Sequence, residues 1–211
     1  MFKTNSKIYG ILLLIALALL SCTDEKTTEP INEITLLALQ LGNYWVYHYN
    51  TIQDTLRETV AEAVEVEVDD QTKTVFRIAM ANLNRYYFND EVGLHFIMNL
   101  GSVSGADSLV DYSYLLYQYP VEINDSWFQD FLNDGYTSGD NIVQCISTST
   151  IVDCPAGTFD CIVYKTSNPE LSENYSLNYY CAGSGLIQSI RFDSDNNEFE
   201  AKTLVEYFVQ E

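Results

Sequence analysis

Only two histidines, His48 and His95, occur in the 211 residues, so any hydrolytic triad or imidazole-based metal site has to be built around one of them. Both stand among aromatic or aliphatic neighbours (Tyr47-His48-Tyr49 and Leu94-His95-Phe96), the surroundings of a strand. A Gly-x-Ser-x-Gly elbow is missing, because Gly101-Ser102-Val103-Ser104-Gly105 places Val at its centre. His-Glu-x-x-His, phosphate-cradling glycine loops and dinucleotide fingerprints are also missing. With 30 Asp and Glu residues, a glycosidase-type carboxylate pair is not excluded by counting, since its separation of about 5 to 10 Å is a property of the folded chain. Asp193-Ser194-Asp195-Asn196-Asn197-Glu198 starts like a calcium loop, but Glu198 replaces the glycine of position six and Leu204 the glutamate of position twelve. It reads as a polar hairpin turn. The expectation is a protein that is not an enzyme, with no catalytic residue, metal or cofactor.

Of the five cysteines, four lie in the C-terminal third: Cys145, Cys154, Cys161 and Cys181. None forms the Cys-x-x-Cys pair of a zinc knuckle or redox motif, and an even number in an exported chain predicts disulfides. The three connectivities are not separated by spacing alone. A hairpin turning at Ala156-Gly157 would set Cys161 opposite Val152, and a next connection centred near Leu171 would set Cys161 against Cys181, the weakly favoured pair. Cys145 and Cys154 could bridge only if the Ser/Thr stretch between them bends, since nine extended steps span ~30 Å and a disulfide tolerates ~7 Å between Cα atoms.

The fifth, Cys22, has a different setting. Lys3 and Lys7 precede an apolar run from Ile11 to Leu20, shorter than the ~20 residues of a membrane-spanning helix and suited to a secretory signal. The run ends in Leu19-Leu20-Ser21-Cys22, which resembles the bacterial lipoprotein signal and implies lipidation of Cys22. Residues 1–21 are then the signal peptide. Residues 22–33 are the acylated Cys and a polar tether, since Thr23 to Pro30 carries no large apolar side chain. Two or more acyl chains give a lasting anchor. Asp24-Glu25 resembles the export tags of surface lipoproteins of the Bacteroidetes group. The implied location is the outer membrane, on its periplasmic or cell-surface face, with the membrane engaged through the lipid. The net charge of −20 becomes −22 once Lys3 and Lys7 are removed, and so acidic a chain repels phosphates, which excludes nucleic acid as a partner.

The elements that position these residues have a period of two. Leu56, Val60, Val64, Val66 and Val68 share one parity while Thr59, Glu65, Glu67 and Asp69 share the other, the pattern of a half-buried strand. Asp69-Asp70-Gln71 turns the chain into a second alternation, so 55–82 reads as a long hairpin. Further strands are predicted at 43–53, 84–89, 93–99, 107–119, 142–153, 159–167, 175–182, 185–193 and 198–209, separated by turns at Asn89-Asp90, Asn133-Asp134-Gly135, Ser167-Asn168-Pro169 and Asp195-Asn196-Asn197. Ile31 to Leu41 is a short helix or an entering strand. Short links make consecutive strands antiparallel, so residues 34–211 read as one β-rich domain, all-β or β-dominated α+β. The arrangement is one strongly curved antiparallel sheet or half-barrel, with a β-sandwich as the alternative. Gly42-Asn43-Tyr44-Trp45 and Asn124-Asp125-Ser126-Trp127 each place a Trp three residues after a turn residue, a weak sign of duplication.

Two segments are more distinctive: Val152-Asp153-Cys154-Pro155-Ala156-Gly157-Thr158-Phe159-Asp160-Cys161 and Tyr179-Tyr180-Cys181-Ala182-Gly183-Ser184-Gly185-Leu186-Ile187. With the two Trp segments they resemble the TapB-like proteins, secreted bacterial β-rich proteins of unknown function with a Pro-Ala-Gly-Thr-Phe hairpin and a later Gly-x-Gly-Leu-Ile strand. The resemblance implies a half-barrel like that of the LolA-type lipoprotein carriers, and it departs from the pattern at Cys181. In physical terms Pro155 and Gly157 set a tight turn, while Gly183 and Gly185 permit a bulge or a close backbone crossing.

Sixteen tyrosines complete the inventory, many on aromatic stripes suited to a core, a half-wet groove or a sugar-stacking surface. The expected function is a non-enzymatic envelope lipoprotein binding a lipid or other apolar or amphipathic ligand on the concave face, with Trp45, Tyr47, Trp127 and Phe159 as candidate ligand-facing residues. The alternative is an adhesion or assembly module that grips an envelope protein or glycan through exposed tyrosines.

Overall fold

A computed structural model describes residues 35–68, 70–81, 83–98, 112–129, 141–168 and 174–210. The chain divides after Glu33, and every strand belongs to the second unit, Ile34–Glu211. Cys22, the signal and tether of residues 1–33, the glycine-flanked Ser-Val-Ser segment at 101–105 and the turn at 133–135 lie outside the described residues.

Among the described residues, twelve antiparallel strands form one sheet: β1 (Tyr44–Tyr49), β2 (Asp54–Val68), β3 (Gln71–Met80), β4 (Leu83–Asn89), β5 (Gly93–Met98), β6 (Tyr112–Gln118), β7 (Ser126–Gln129), β8 (Asn141–Cys154), β9 (Gly157–Ser167), β10 (Tyr175–Cys181), β11 (Gly185–Phe192) and β12 (Glu198–Phe208). The order is β6-β5-β4-β3-β2-β1-β12-β11-β10-β9-β8-β7, so every neighbour is consecutive in sequence except the central pair of β1 and β12. Two meanders are therefore sewn together by the first and last strands. The sheet is all-β, with no helix among the described residues, and is curled far enough that its outer parts meet. Gln129 on β7 donates to the Leu116 carbonyl on β6 at 2.9 Å, and the Tyr164 hydroxyl on β9 donates to the Gln118 carbonyl at 2.7 Å.

Residues 35–41 are neither the helix nor the strand expected from Ile31 to Leu41. Leu36, Leu37 and Leu39 are buried in the main core, and the backbone finds scattered partners in place of a ladder. The Thr35 carbonyl accepts from Gly183 N–H at 2.7 Å, while Asn89 and Asn43 side chains donate to the Leu37 and Ala38 carbonyls. Gly185 lies directly under this segment: its φ of +97° is one that residues with a Cβ rarely adopt, and a Cβ there would stand 2.6 Å from Leu37 Cδ1 and push that side chain aside.

The long β2–β3 hairpin forms as the alternation requires, with one difference. A bulge between Val60 and Glu62 shifts the register, and one extra residue exchanges the two faces of a strand. Val60 accordingly packs with Trp45 and Ile78 in the main core, whereas Val66 and Val68 join Val75, Phe88 and Ile97 in a second, smaller cluster. Shared parity in β2 therefore does not mean a shared face. The β8–β9 turn also differs by one residue. Cys154 pairs with Gly157 and Val152 with Phe159, which puts Pro155-Ala156 at the turn and Cys161 opposite Thr150, where Val152 was expected.

Candidate functional site

The concave face is built from two kinds of side chain. On β6, β9 and β10, Tyr117, Tyr164 and Tyr180 pack with ring centroids 4.7 to 6.1 Å apart, and Trp127 on β7 meets Tyr164 edge-on at 5.9 Å. Rings in this range and tilt gain about 0.5 to 1.5 kcal/mol beyond their buried area. Burial raises the pKa of all three hydroxyls, which stay protonated as donors. Tyr117 bonds to Thr166 and Tyr180, so the layer is cross-linked through its polar tips.

The facing wall, on β1, β2, β4 and β12, starts in the same way and then becomes charged. Trp45 and Tyr47 are each 1% exposed. Their polar atoms are spent on the backbone of the β11 entrance, Trp45 Nε1 donating to the Ser184 carbonyl at 2.5 Å and the Tyr47 hydroxyl to the Leu186 carbonyl at 2.9 Å. Beside them Lys202 Nζ lies 2.5 Å from Glu58 Oε1 and 3.8 Å from the centre of the Tyr47 ring, with only 13% and 12% of the Lys202 and Glu58 side chains exposed. Burial lowers the Lys202 pKa, and Glu58 opposes that shift. Arg85, in contact with Tyr87, completes the group. Burial works against its charge, but Tyr87 and Glu58 outweigh burial and raise its pKa.

Between these walls remains a cleft of about 70 Å³, lined by Trp45, Tyr47, Glu58, Arg85, Tyr87 and Lys202 with apolar neighbours including Tyr180 and Leu186. Room for a water needs roughly 10 to 15 Å³, so the cleft is the size of a few waters or one small polar group. Pockets that enclose a drug-sized ligand run from about 300 Å³ upward. Among the described residues, the protein's own aromatic side chains pack the hollow beside the cleft, which at about 70 Å³ is too small for an acyl chain.

The four residues expected to face a ligand are not brought together. Trp45 and Tyr47 line the cleft. Trp127 belongs to the tyrosine wall, with its Nε1 buried and unpartnered, and Phe159 is buried near the start of β9 against Tyr207 at 5.7 Å. Pro155 occupies the β8–β9 turn and Gly157 follows at φ +139°, while Gly183, at φ +77°, is the middle of the β10–β11 turn and Gly185, at φ +97°, begins β11 under the N-terminal segment. All four cysteines are unbonded. The β9–β10 register, with Tyr180 opposite Ile162, runs on toward Cys161 and Cys181, whose thiols are close enough for one to raise the other's pKa. Cys145 and Cys154 are both on β8, which is continuous through the Ser/Thr stretch despite two register shifts.

Glu58, Arg85 and Lys202 were not singled out by motif or spacing. One signal was present: Glu58 falls between Leu56 and Val60, a carboxylate on the apolar parity of the clearest strand. A charge there has to find a buried partner.

No protein-family model and no curated protein matches the chain. Two solved structures share its outline at low identity. One is a candidate lipoprotein of Parabacteroides distasonis, 14% identical, with a TM-score of 0.43. The other is a candidate exported protein of Bacteroides fragilis with a YmcC-like fold, 14% identical, with a TM-score of 0.45. Each alignment covers 83% of this chain and 99% of the other.

Proposed function

We propose that the protein is a non-enzymatic envelope lipoprotein, held at the outer membrane by acylated Cys22, which binds the polar end of an amphipathic ligand at the cleft beside Lys202. The supporting observation is the pairing of a filled aromatic floor with a charged, partly open cleft of about 70 Å³ on the same concave face. The floor leaves no room for an apolar tail, so the tail of such a ligand stays outside the cleft. Only a head group the size of a few waters enters. The reading as a module that grips through exposed tyrosines has less to stand on. Among the described residues only Tyr207, 37% exposed, is a tyrosine in the set of large exposed apolar side chains.

Native mass spectrometry of the protein extracted gently from its own envelope tests this reading. The expected result is a reproducible adduct on the acylated chain that is lost in Lys202→Met. A bare acylated mass from several extractions overturns it.

A further inference from the structure

We propose that the group accepted by this cleft is a small oxyanion, a carboxylate or a phosphate, held by Arg85 and Lys202. The inference rests on the cleft reading above and names its ligand chemistry. Three charges line the cleft, and they do not cancel. Glu58 pairs with Lys202 at 2.5 Å and favours the charge on Arg85 from farther away, so one carboxylate serves two cations, and Arg85 makes no direct ion pair among the described residues. The cleft thus carries a surplus positive charge inside a chain whose net charge is −20. Arg85 lines the cleft while staying exposed to solvent, with one hydrogen bond to Tyr87, and the planar fork of its guanidinium fits the two oxygens of a carboxylate or phosphate.

The neighbouring groups strengthen the case. Lys202 is fixed from two sides, by Glu58 and by the Tyr47 ring at 3.8 Å, so its ammonium points at one place without needing to be ordered on binding. The volume of about 70 Å³ suits an ion with three to five heavy atoms and excludes a sugar ring. The acidic exterior supplies the selectivity. An anion gains nothing from the surface field of this protein, so it is held only where a largely buried cation, Lys202, is joined by a second one, Arg85.

The test is a calorimetric titration of the full mature chain with inorganic phosphate and, separately, with acetate, against sodium chloride at matched ionic strength. Saturable binding of one of the two, absent with chloride, is expected, and which of them binds separates a phosphate ligand from a carboxylate one. Arg85→Gln should weaken that binding at least tenfold while Arg85→Lys recovers part of it. Arg191→Gln, in an exposed ion pair away from the cleft, should leave it unchanged and shows that folded variants are being compared. Absence of binding beyond the chloride control overturns the inference, and so does wild-type binding by a folded Arg85→Gln. An envelope adduct with no oxyanion binding leaves the amphipathic reading standing with a neutral or cationic head group. Oxyanion binding without any adduct leaves the site standing and removes that reading.

Discussion

The wall of β6, β9 and β10 and the wall of β1, β2, β4 and β12 face one interior, and both are lined by tyrosines, yet one is closed and the other keeps a cleft. On the first, each described hydroxyl finds a partner within the layer or on the backbone: Tyr164 on the Gln118 carbonyl, Tyr117 on Thr166 and Tyr180. Of the described polar tips there only Trp127 Nε1 is left without a partner, and the rings close to contact. On the second, Glu58, Arg85 and Lys202 interrupt the aromatic surface. Charges of this kind cost several kcal/mol each to strip of water completely, so the packing stops short of them. The difference shows that an aromatic stripe does not by itself make a ligand site. A space persists where a charge on the inward parity prevents full closure.

The largest effect should come from the closed wall. Tyr164 is fully buried between Tyr117, Tyr180 and Trp127, and burying about 200 Å² of aromatic surface is worth roughly 5 kcal/mol of gross transfer free energy. Tyr164→Ala should lower the unfolding free energy by about 3 to 5 kcal/mol in a urea titration. Tyr164→Phe, which removes only the hydroxyl, should cost about 1 kcal/mol. If the alanine variant lost less than 1 kcal/mol, the two walls would be equally loose and the contrast between them would be gone.

Much of this architecture was legible from alternation alone. The strands predicted between 43 and 99 and between 142 and 209 appear as β1 to β5 and β8 to β12 within a few residues, because period-two burial leaves a clear trace wherever one face of a sheet is dry. The segment expected at 107–119 is described only as β6, Tyr112–Gln118. The four residues of β7 were too short to show a period. The bulge at Ala61 went unread because inserting a residue changes a strand's facing without changing its composition, and the β8–β9 turn was misplaced by one residue for a related reason. Pro155 and Gly157 both suit a turn, and only the pairing of Cys154 with Gly157 decides between frames. The charged cleft was the least legible part. Glu58, Arg85 and Lys202 come from three separate strands, and only the curl of the sheet assembles them.

The next effect is a loss of stability in base. Burial pushes the Tyr87 and Tyr49 hydroxyls from 10 up to about 12, so the folded state holds these protons more tightly than the unfolded chain. Below pH 10 both states are protonated and nothing changes. Above it the unfolded chain ionises first, and stability falls as pH rises toward 12, by about 3 kcal/mol for Tyr87 taken alone. Lys202 acts in the opposite direction: its folded pKa is lowered, so the folded state sheds that proton first and gains relative stability with rising pH. Urea midpoints measured from pH 8 to 12 should therefore fall above pH 10, and the gain with pH that Lys202 contributes below about 10.5, its unfolded value, should be missing in Lys202→Met. A flat profile would mean that these hydroxyls are solvated.

A smaller effect isolates the buried ion pair. Glu58→Gln leaves the Lys202 ammonium beside Tyr47 without its counter-charge and should cost about 2 to 3 kcal/mol, toward the lower end for buried pairs because the cleft admits water. Combining Glu58→Gln with Lys202→Met removes the orphaned charge, and the double variant should be more stable than the sum of the single changes by at least 1 kcal/mol. Additive losses would show that the two side chains act independently and that water, not Glu58, solvates the lysine.

The smallest expected effect lies outside the cleft and calibrates the rest. Arg191 and Glu200 form an ion pair at 2.8 Å with 59% and 30% of their side chains exposed, the same two kinds of charge as at Lys202 and Glu58 but set in water. Solvent screening and the entropy of holding two long side chains reduce such pairs to about 0 to 1 kcal/mol. Arg191→Gln should change the urea midpoint by no more than the equivalent of about 0.5 kcal/mol, and added salt should erase even that. The Glu58→Gln loss, by contrast, should persist at high salt, because screening ions do not reach a pair that is nearly nine-tenths buried. Equal salt sensitivity at the two sites would place Lys202 and Glu58 effectively at the surface, and the distinction between a closed wall and a charged one would then reduce to sequence composition.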